Sequence, residues 1–415
     1  MSKSTYALCD VNSFYVACER LFRPDLQNKP VVVLSNNDGC AIAMCEYSKS
    51  LGIKIGTPHF QIKTLIKKHD IECFSSNYGL YGDISQRFNW VLSQFTDKVS
   101  PYSVDESFLK FDGFTDNLIQ HCKRLRKTVD EWLSLPICIG LAPTKTLAKV
   151  ANYYAKKHQG STQGVVDLRN EQHREWALRR MQVSDIWGVG RRLTQKLKLH
   201  GIITAWDLHN ADYKTLQRMF SVNMERTILE LRGQPCLTFS ELPQPKQSIL
   251  NSRSFGNPIT EQSDLKEALA YHATRCCEKL RKQSSLASSI QLFLYTRDGY
   301  HHGITLPFSE PTDDTSCFLK AINSGVQKIY KAGEVYKKAG VVLFGLVPSS
   351  GYQSDIFSNT SQRPELMDSL DTINKKYGQD TIKFGSLGFA KRWAMRCNAQ
   401  SPHYTTRWSE IIKVS

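Results

Sequence analysis

Three acidic residues, Asp10, Asp105 and Glu106, have types and local settings that could do chemistry. Asp10 closes the short apolar run YALC, and Asp105 and Glu106 fall between two alternating segments, where a hairpin bend is expected. Carboxylates gathered at strand ends repel one another and are costly to hold together unless cations neutralise them. Two Mg²⁺ ions about 3.5–4 Å apart would do so, and such a pair activates an attacking oxygen and steadies a leaving one, which suits phosphoryl transfer. Acidic residues at strand ends also serve as turn caps, so spacing alone leaves both readings open.

The elements that must position these groups read as a mixed α/β region. Residues 6–9 form a strand that ends at Asp10, and 13–22 a helix stopped by Pro24. Residues 31–34 form a strand that Asn37, Asp38 and Gly39 turn into another through Ile42. A helix over 78–95, strands over 99–104 and 107–111, a helix over 115–132, a strand over 137–141 and a helix over 144–157 follow. Adjacent side chains on a regular strand point to opposite faces. Asp105 and Glu106 can therefore share a site only if the chain bends between them.

Residues 171–245 read as almost wholly helical, with turns at 188–190 and at Gly201. Pro243 and Pro245 mark 242–247 as a linker, and 248–347 reads strand, helix, strand, strand, helix, strand, a split βαβ order. The Ser-, Asn- and Gln-rich stretch 348–364 is a second linker.

A chain of 415 residues suggests about three domains. Its 54 Lys and Arg against 39 Asp and Glu give a net charge of +15, spread along the whole sequence. Such an excess favours a polyanionic partner, nucleic acid or an acidic membrane surface. The twelve cysteines include no CxxC, and Cys276 and Cys277 are adjacent, so reduced thiols are expected in place of a zinc site or a disulfide framework. The N-terminal region has no long apolar stretch, and no run of about 18 apolar residues occurs, which predicts a cytoplasmic protein with no membrane partner.

Several motifs then occur in one order: CDVNSFYVACE (9–19), SNNDGC (35–40), SSNYGLYGDIS (75–85), YSVDES (102–107), APTKTLAKVAN (142–152), IWGVGRR (186–192), ELRGQPC (230–236), SRSFG (252–256) and SPHYTTRW (401–408). Together they resemble the Y-family translesion DNA polymerases, in particular UmuC-type catalytic subunits of DNA polymerase V and their plasmid-borne relatives. The resemblance covers essentially the whole chain.

It implies a multidomain α/β and α+β fold, the right-hand polymerase. A ferredoxin-like palm (1–29 and 76–170) would be interrupted by small fingers (30–75). A helical helix-hairpin-helix thumb (171–241), the 242–247 linker, a βαββαβ little finger (248–347), a linker carrying a clamp-binding peptide (348–364) and a C-terminal partner-binding segment (365–415) would follow.

By the same resemblance, Asp10, Asp105, Glu106 and the backbone carbonyl of Val11 hold two Mg²⁺ ions, the two aspartates and the glutamate being catalytic. Tyr15, with Phe14 beside it, matches the steric gate, a ring that collides with a ribose 2′-hydroxyl. Lys49 and Lys156 align with triphosphate contacts, and Gly39, Cys40, Ala41 and Ile42 with a small apolar roof over the nascent pair. Many family members carry Tyr where this chain has Glu46, which leaves the triphosphate contacts open.

Gly188, Val189, Gly190 and Arg191 have the form of a helix-hairpin-helix turn that lets backbone N–H groups approach a DNA phosphate. Thr204 and Asp207 are spaced as a capping box for the next helix. Arg253 would track the DNA backbone from the first little-finger strand. Gln353, Ile356 and Phe357 resemble the bacterial sliding-clamp peptide.

The implied activity is error-prone, template-directed extension of a primer 3′-OH by dNTP during the SOS DNA-damage response. Implied partners are primer-template DNA, dNTP, a processed UmuD-like dimer, a RecA filament and the sliding clamp, on the bacterial nucleoid. A second reading keeps the fold but makes the chain an inactive scaffold on damaged DNA. Asp10, Asp105, Glu106 and Tyr15 argue against it, since a scaffold has no use for all four.

Overall fold

A computed structural model describes residues 4–114, 117–239, 245–353, 363–388 and 391–412. The chain divides into two compact units. The first comprises 1–34, 40–243 and 399–415, and the second 35–39 and 244–398.

In order, the first unit contains β1 (Thr5–Val11), α1 (Phe14–Leu21), β2 (Val31–Leu34), β3 (Ala41–Met44), α2 (Glu46–Ser50), α3 (His59–His69), β4 (Glu72–Ser75), α4 (Tyr78–Ser93), β5 (Val99–Pro101), β6 (Glu106–Phe111), α5 (Leu118–Leu133), β7 (Ile137–Ala142), α6 (Lys145–Lys157), α7 (Gln159–Thr162) and β8 (Val165–Asp167). Five further helices follow, α8 (Glu171–Arg180), α9 (Arg191–Leu199), α10 (Ala205–Asn210), α11 (Tyr213–Met219) and α12 (Val222–Leu231).

Its main sheet has the order β5-β6-β1-β7-β8, so β1 lies in the middle. Every residue of β1 and β7 is buried, as a strand covered on both faces requires. β3, β2 and β4 form a separate three-stranded sheet over a small core of Val32, Leu34, Ile53 and Ile62.

α6 lies unusually close to the main sheet. A Cβ on Gly140 of β7 would stand 2.2 Å from the backbone N of Asn152 and 2.4 Å from the carbonyl O of Ala148. Glycine there and the fully buried Ala148, Ala151 and Ala155 on the helix make the approach possible. Thr144 caps α6, accepting from Leu147 N at 3.2 Å. The buried Glu230 accepts from the backbone N–H groups of Thr146, Cys236 and Leu237, which anchors the first turn of α6 to the ELRGQPC segment.

The second unit contains β9 (Ile249–Ile259), α13 (Gln262–Lys282), β10 (Ser285–Thr296), β11 (His301–Thr312), α14 (Thr315–Ile329), β12 (Tyr336–Pro348) and α15 (Pro364–Tyr377). The sheet order is β11-β10-β12-β9, with β12 inserted between β9 and β10, so the split βαβ expected from the sequence is present. Leu265, Leu269, Cys276 and Phe318 on α13 and α14 pack with Ile290, Leu292, Ala339, Val341 and Leu343 of the sheet.

Residues beyond the second linker pack on their own chain. Arg281 makes a two-pronged pair with Asp371 (2.6 and 2.8 Å), Trp393 is buried in the second unit's core, and 399–412 belong to the first unit. Among the described residues, which include all twelve cysteines, there is no disulfide, and no helix is long and apolar enough to cross a membrane.

Candidate active site

The turn from β1 into α1 is the first positioning device. Ser13 takes a left-handed backbone (φ 48°), which for a residue with a Cβ costs about 1 kcal/mol or more. Its hydroxyl donates to the Met44 carbonyl at 2.9 Å, tying the start of α1 to β3. The tie brings Phe14 and Tyr15 to the wall of a cleft of about 300 Å³ that Ile42, Lys49, Asp105 and Lys156 also line.

The second device is the bend before β6. Asp10 and Glu106 are cross-strand partners, which places their side chains on one face, and Val11 N donates to the Asp105 carbonyl at 3.0 Å. The bend occupies 103–105, and β6 begins at Glu106. Ser103 makes the bend: its hydroxyl donates to Asp105 Oδ1 at 2.6 Å and accepts from Glu106 N at 3.1 Å. The chain thus bends immediately before β6, so Asp105 is not held to the strand's alternation.

The third device is α6, which supplies two cations. Lys156 Nζ is 2.6 Å from Asp10 Oδ1, and Lys149 Nζ is 2.9 and 3.0 Å from the two oxygens of Glu106. Lys149 also lies over the rings of Tyr102 (4.4 Å) and Trp187 (5.4 Å). Seven residues, two helical turns, separate the lysines and put them on one helix face. Sequence reasoning missed Lys149, and that spacing from Lys156 was the available signal.

Asp10 is only 5% exposed. Burial pushes its carboxyl up to about 7, with neighbouring Glu106 adding to the rise and Lys156 opposing it. One lysine thus leaves the buried carboxylate short of positive charge. Among the described residues no three His, Cys, Asp or Glu side chains stand together as a metal-ligand group, because each carboxylate is turned to its own lysine or serine partner. The donor set of three carboxylates beside the Val11 carbonyl nevertheless fits a hard divalent cation, and the burial of Asp10 directly across from Glu106 is the observation that calls for one.

Lys49 faces the same cleft, and Glu46, one turn earlier in α2, pairs with it at 2.5 Å. The acid at this position therefore orients the lysine. Cys40 is not among the residues lining the cleft; the apolar wall comes from Ile42, Ala43 and Met44.

In the helical region Gly188 has φ 87°, which glycine adopts without strain, and Gly190 caps α9. Val189 is buried as the anchor, while Gly188, Gly190 and Arg191 are exposed, so the first N–H groups of α9 face outward. The Thr204–Asp207 capping box is present in both halves.

Arg253 lies on the helix-covered side of β9. On β9 it shares a face with Ile249, Asn251 and Phe255; Ile249 and Phe255 enter the core, and Asn251 bonds His272 of α13 at 2.8 Å. Its guanidinium packs against Met395 Sδ at 3.6 Å, on the helix-covered side of the sheet. The opposite face carries Lys338 over the rings of Phe293 (6.0 Å) and Tyr295 (5.8 Å). In SRSFG, Gly256 admits the C-terminal segment: a Cβ there would meet the Ala394 carbonyl at 2.4 Å. Of the clamp-like peptide, Ile356 and Phe357 lie outside the described residues, as do 240–244 at the first linker.

Residues 9–153 match the impB/mucB/samB family, 246–356 the C-terminal domain of that family, and 364–414 a domain of unknown function. Protein UmuC of Salmonella typhimurium is 40% identical over 99% of this chain and 100% of its own length, and Protein MucB of Escherichia coli 37% identical over 98% of each. DNA polymerase IV 1 of Bacillus subtilis is 27% identical over 91% of each chain. Among solved structures, a Y-family DNA polymerase chimera, Dbh-Dpo4(243-245)-Dbh, shares the fold with a TM-score of 0.66 at 16% identity, covering 83% of this chain and 99% of its own. With relatives that match it from end to end, the chain belongs to the impB/mucB/samB family, the UmuC-type branch of the Y-family DNA polymerases.

Proposed function

We propose that this chain is a translesion DNA polymerase that extends a primer 3′-OH with dNTP on a template, using the cleft between β1, β6, α1 and α6. The observation that carries the reading is the juxtaposition of buried Asp10 with Glu106 and the Ser103-made bend at Asp105, beside two lysines and an aromatic wall.

Asp10, Asp105, Glu106 and the Val11 carbonyl would hold two Mg²⁺ ions, which when bound supply Lewis-acid activation of the 3′-oxygen and charge neutralisation at phosphate. Lys156 and Lys149 pair with Asp10 and Glu106, and as the two cations on this face of α6 they would also serve phosphate oxygens of the substrate. Lys49 enters the cleft as a further point charge for the triphosphate. Tyr15 presents its ring where a 2′-hydroxyl would collide, and Phe14 and Ile42 close the apolar side.

The exposed α9 N-terminus behind Gly188 and Gly190, with Arg191, suits a DNA phosphate. Lys338 with Phe293 and Tyr295 replaces Arg253 as the candidate DNA-facing group of the second unit. The domain names expected from the sequence (palm, fingers, thumb and little finger) are assigned on this reading, as are a UmuD-like dimer, a RecA filament and the sliding clamp as partners on the bacterial nucleoid.

The test is primer extension past an abasic site with Mg²⁺ and dNTPs, comparing the native chain with Asp105→Asn, each with and without those partners. Extension by the native chain and none by the variant is expected. No extension under any condition, with DNA binding retained, would leave the inactive scaffold.

A further inference from the structure

The motif that carries Tyr15 also carries Glu19, one helical turn later on α1, and the proposed reaction has no use for a carboxylate there. Glu19 is fully buried. Tyr81 of α4, 1% exposed, spans the two residues. Its ring stacks on Tyr15 with centroids 4.4 Å apart and planes 16° apart, and its hydroxyl donates to Glu19 Oε1 at 2.5 Å. Tyr78 closes the cluster edge-on to both rings. A stacked neighbour alone would let the Tyr15 ring slide in its plane. The phenol-to-carboxylate bond fixes the lateral position of that neighbour and so removes the freedom.

The end of the chain braces the same cluster. Asn77, the cap of α4, donates to the Ser401 carbonyl (3.1 Å), the Ser401 hydroxyl (3.0 Å) and the Pro402 carbonyl (3.2 Å). Ser401 thus holds the cap of the helix that carries Tyr81. Ser75 and Ala399 exchange hydrogen bonds at 2.9 and 3.0 Å, and Tyr404 stacks on Phe22 just past α1 with centroids 4.5 Å apart. Residues 399–404 thus bind both helices that hold the ring pair, and all of them lie within the first unit.

We propose that the chain terminus, in the region matching a domain of unknown function, is the back support of the sugar gate: through Ser401 and Asn77 it holds α4, whose Tyr81, bonded to Glu19, sets the position of Tyr15 and hence the preference for deoxyribonucleotides. The inference rests on the reading of Tyr15 as the gate. Glu19, Tyr81 and Ser401 are positioning residues, since none of them lines the cleft.

The experiment is competition between a dNTP and the matching rNTP for single insertion by the full-length protein. The kcat/KM ratio from competition is independent of the folded fraction. Tyr81→Phe keeps the stacked ring and loses its bond to Glu19, and Ser401→Ala loses the terminal brace. Discrimination is expected to fall about fivefold in the first and about threefold in the second, the scale of one lost hydrogen bond. Tyr15→Ala is the control and should collapse the ratio. If Tyr15→Ala collapses it while either of the other variants stays within about twofold of the native ratio, a margin below the loss of one such bond, the back-support inference is wrong and the gate stands. If Tyr15→Ala leaves the ratio unchanged, the gate reading fails and takes this inference with it.

Discussion

The strand pair that carries Asp10 and Glu106 and the edge strand that carries Arg253 obey the same alternation, with opposite outcomes. Cross-strand register sends Asp10 and Glu106 to one face, and the Ser103 bend releases Asp105 from alternation so that it lines the cleft beside Tyr15 and Lys156. On β9 the pairing is regular from Ile249 to Ser254, and Arg253 follows Ile249 and Asn251 to the helix-covered side. A charged residue inside a recognisable motif therefore marks a site only when its face is known. In SRSFG the motif serves the docking of the C-terminal segment at Gly256.

The largest expected effect probes the acidic side of this contrast. Asp105→Asn should lower single-nucleotide insertion by about a thousandfold, the scale of several kcal/mol of lost charge stabilisation, in pre-steady-state primer extension. An effect below tenfold would show that the bend delivers no functional carboxylate.

Next is the packing that brings the lysines to the acids. Gly140→Ala forces a Cβ into the backbone of α6 and should cost about 3 kcal/mol or more in denaturant unfolding, since neither strand nor helix backbone can yield cheaply. Native stability would mean that α6 does not approach the sheet this closely.

The raised Asp10 makes a signed prediction about pH. Without divalent cation its carboxyl takes up a proton below about pH 7, which a cation must displace. Apparent cation affinity, read by titration with Mn²⁺, should rise by up to about tenfold per pH unit until about pH 7 and then level off. Because the native group binds its proton more tightly than the unfolded chain does, cation-free stability should fall as pH rises from the ordinary carboxylate range through 7. Lys156→Met removes the charge that holds the carboxyl down and should move the midpoint upward.

The smallest effect sharpens the contrast directly. Lys338→Ala should weaken DNA binding and reduce the salt slope of the affinity by about one, whereas Arg253→Ala should leave the slope unchanged. The latter should instead lower the melting temperature, consistent with about 1 kcal/mol of lost packing against Met395. The reverse pattern in filter-binding titrations would restore Arg253 to the DNA-facing side.

Much of this was legible in order and residue type. The strand expected over 6–9 runs Thr5–Val11, the strand over 31–34 is β2, and the helix over 144–157 is α6 with Thr144 as its cap. Apolar runs and cap residues are local signals, and they mark elements well. Lys149 and Glu19 were not legible: a lysine on a helix reads as solvated until Glu106 meets it, and an acid in a helix gives no sign of being buried until Tyr81 arrives.

By itself, then, the sequence determined the elements and the family, because each depends on neighbours in the chain or on motif order. Only the tertiary structure decided which charges meet, which face of β9 carries Arg253 and what the C-terminal segment touches. Those are contacts between residues tens to hundreds of positions apart, and they follow from strand register, the close approach of helix to sheet and the burial of polar groups that must find partners.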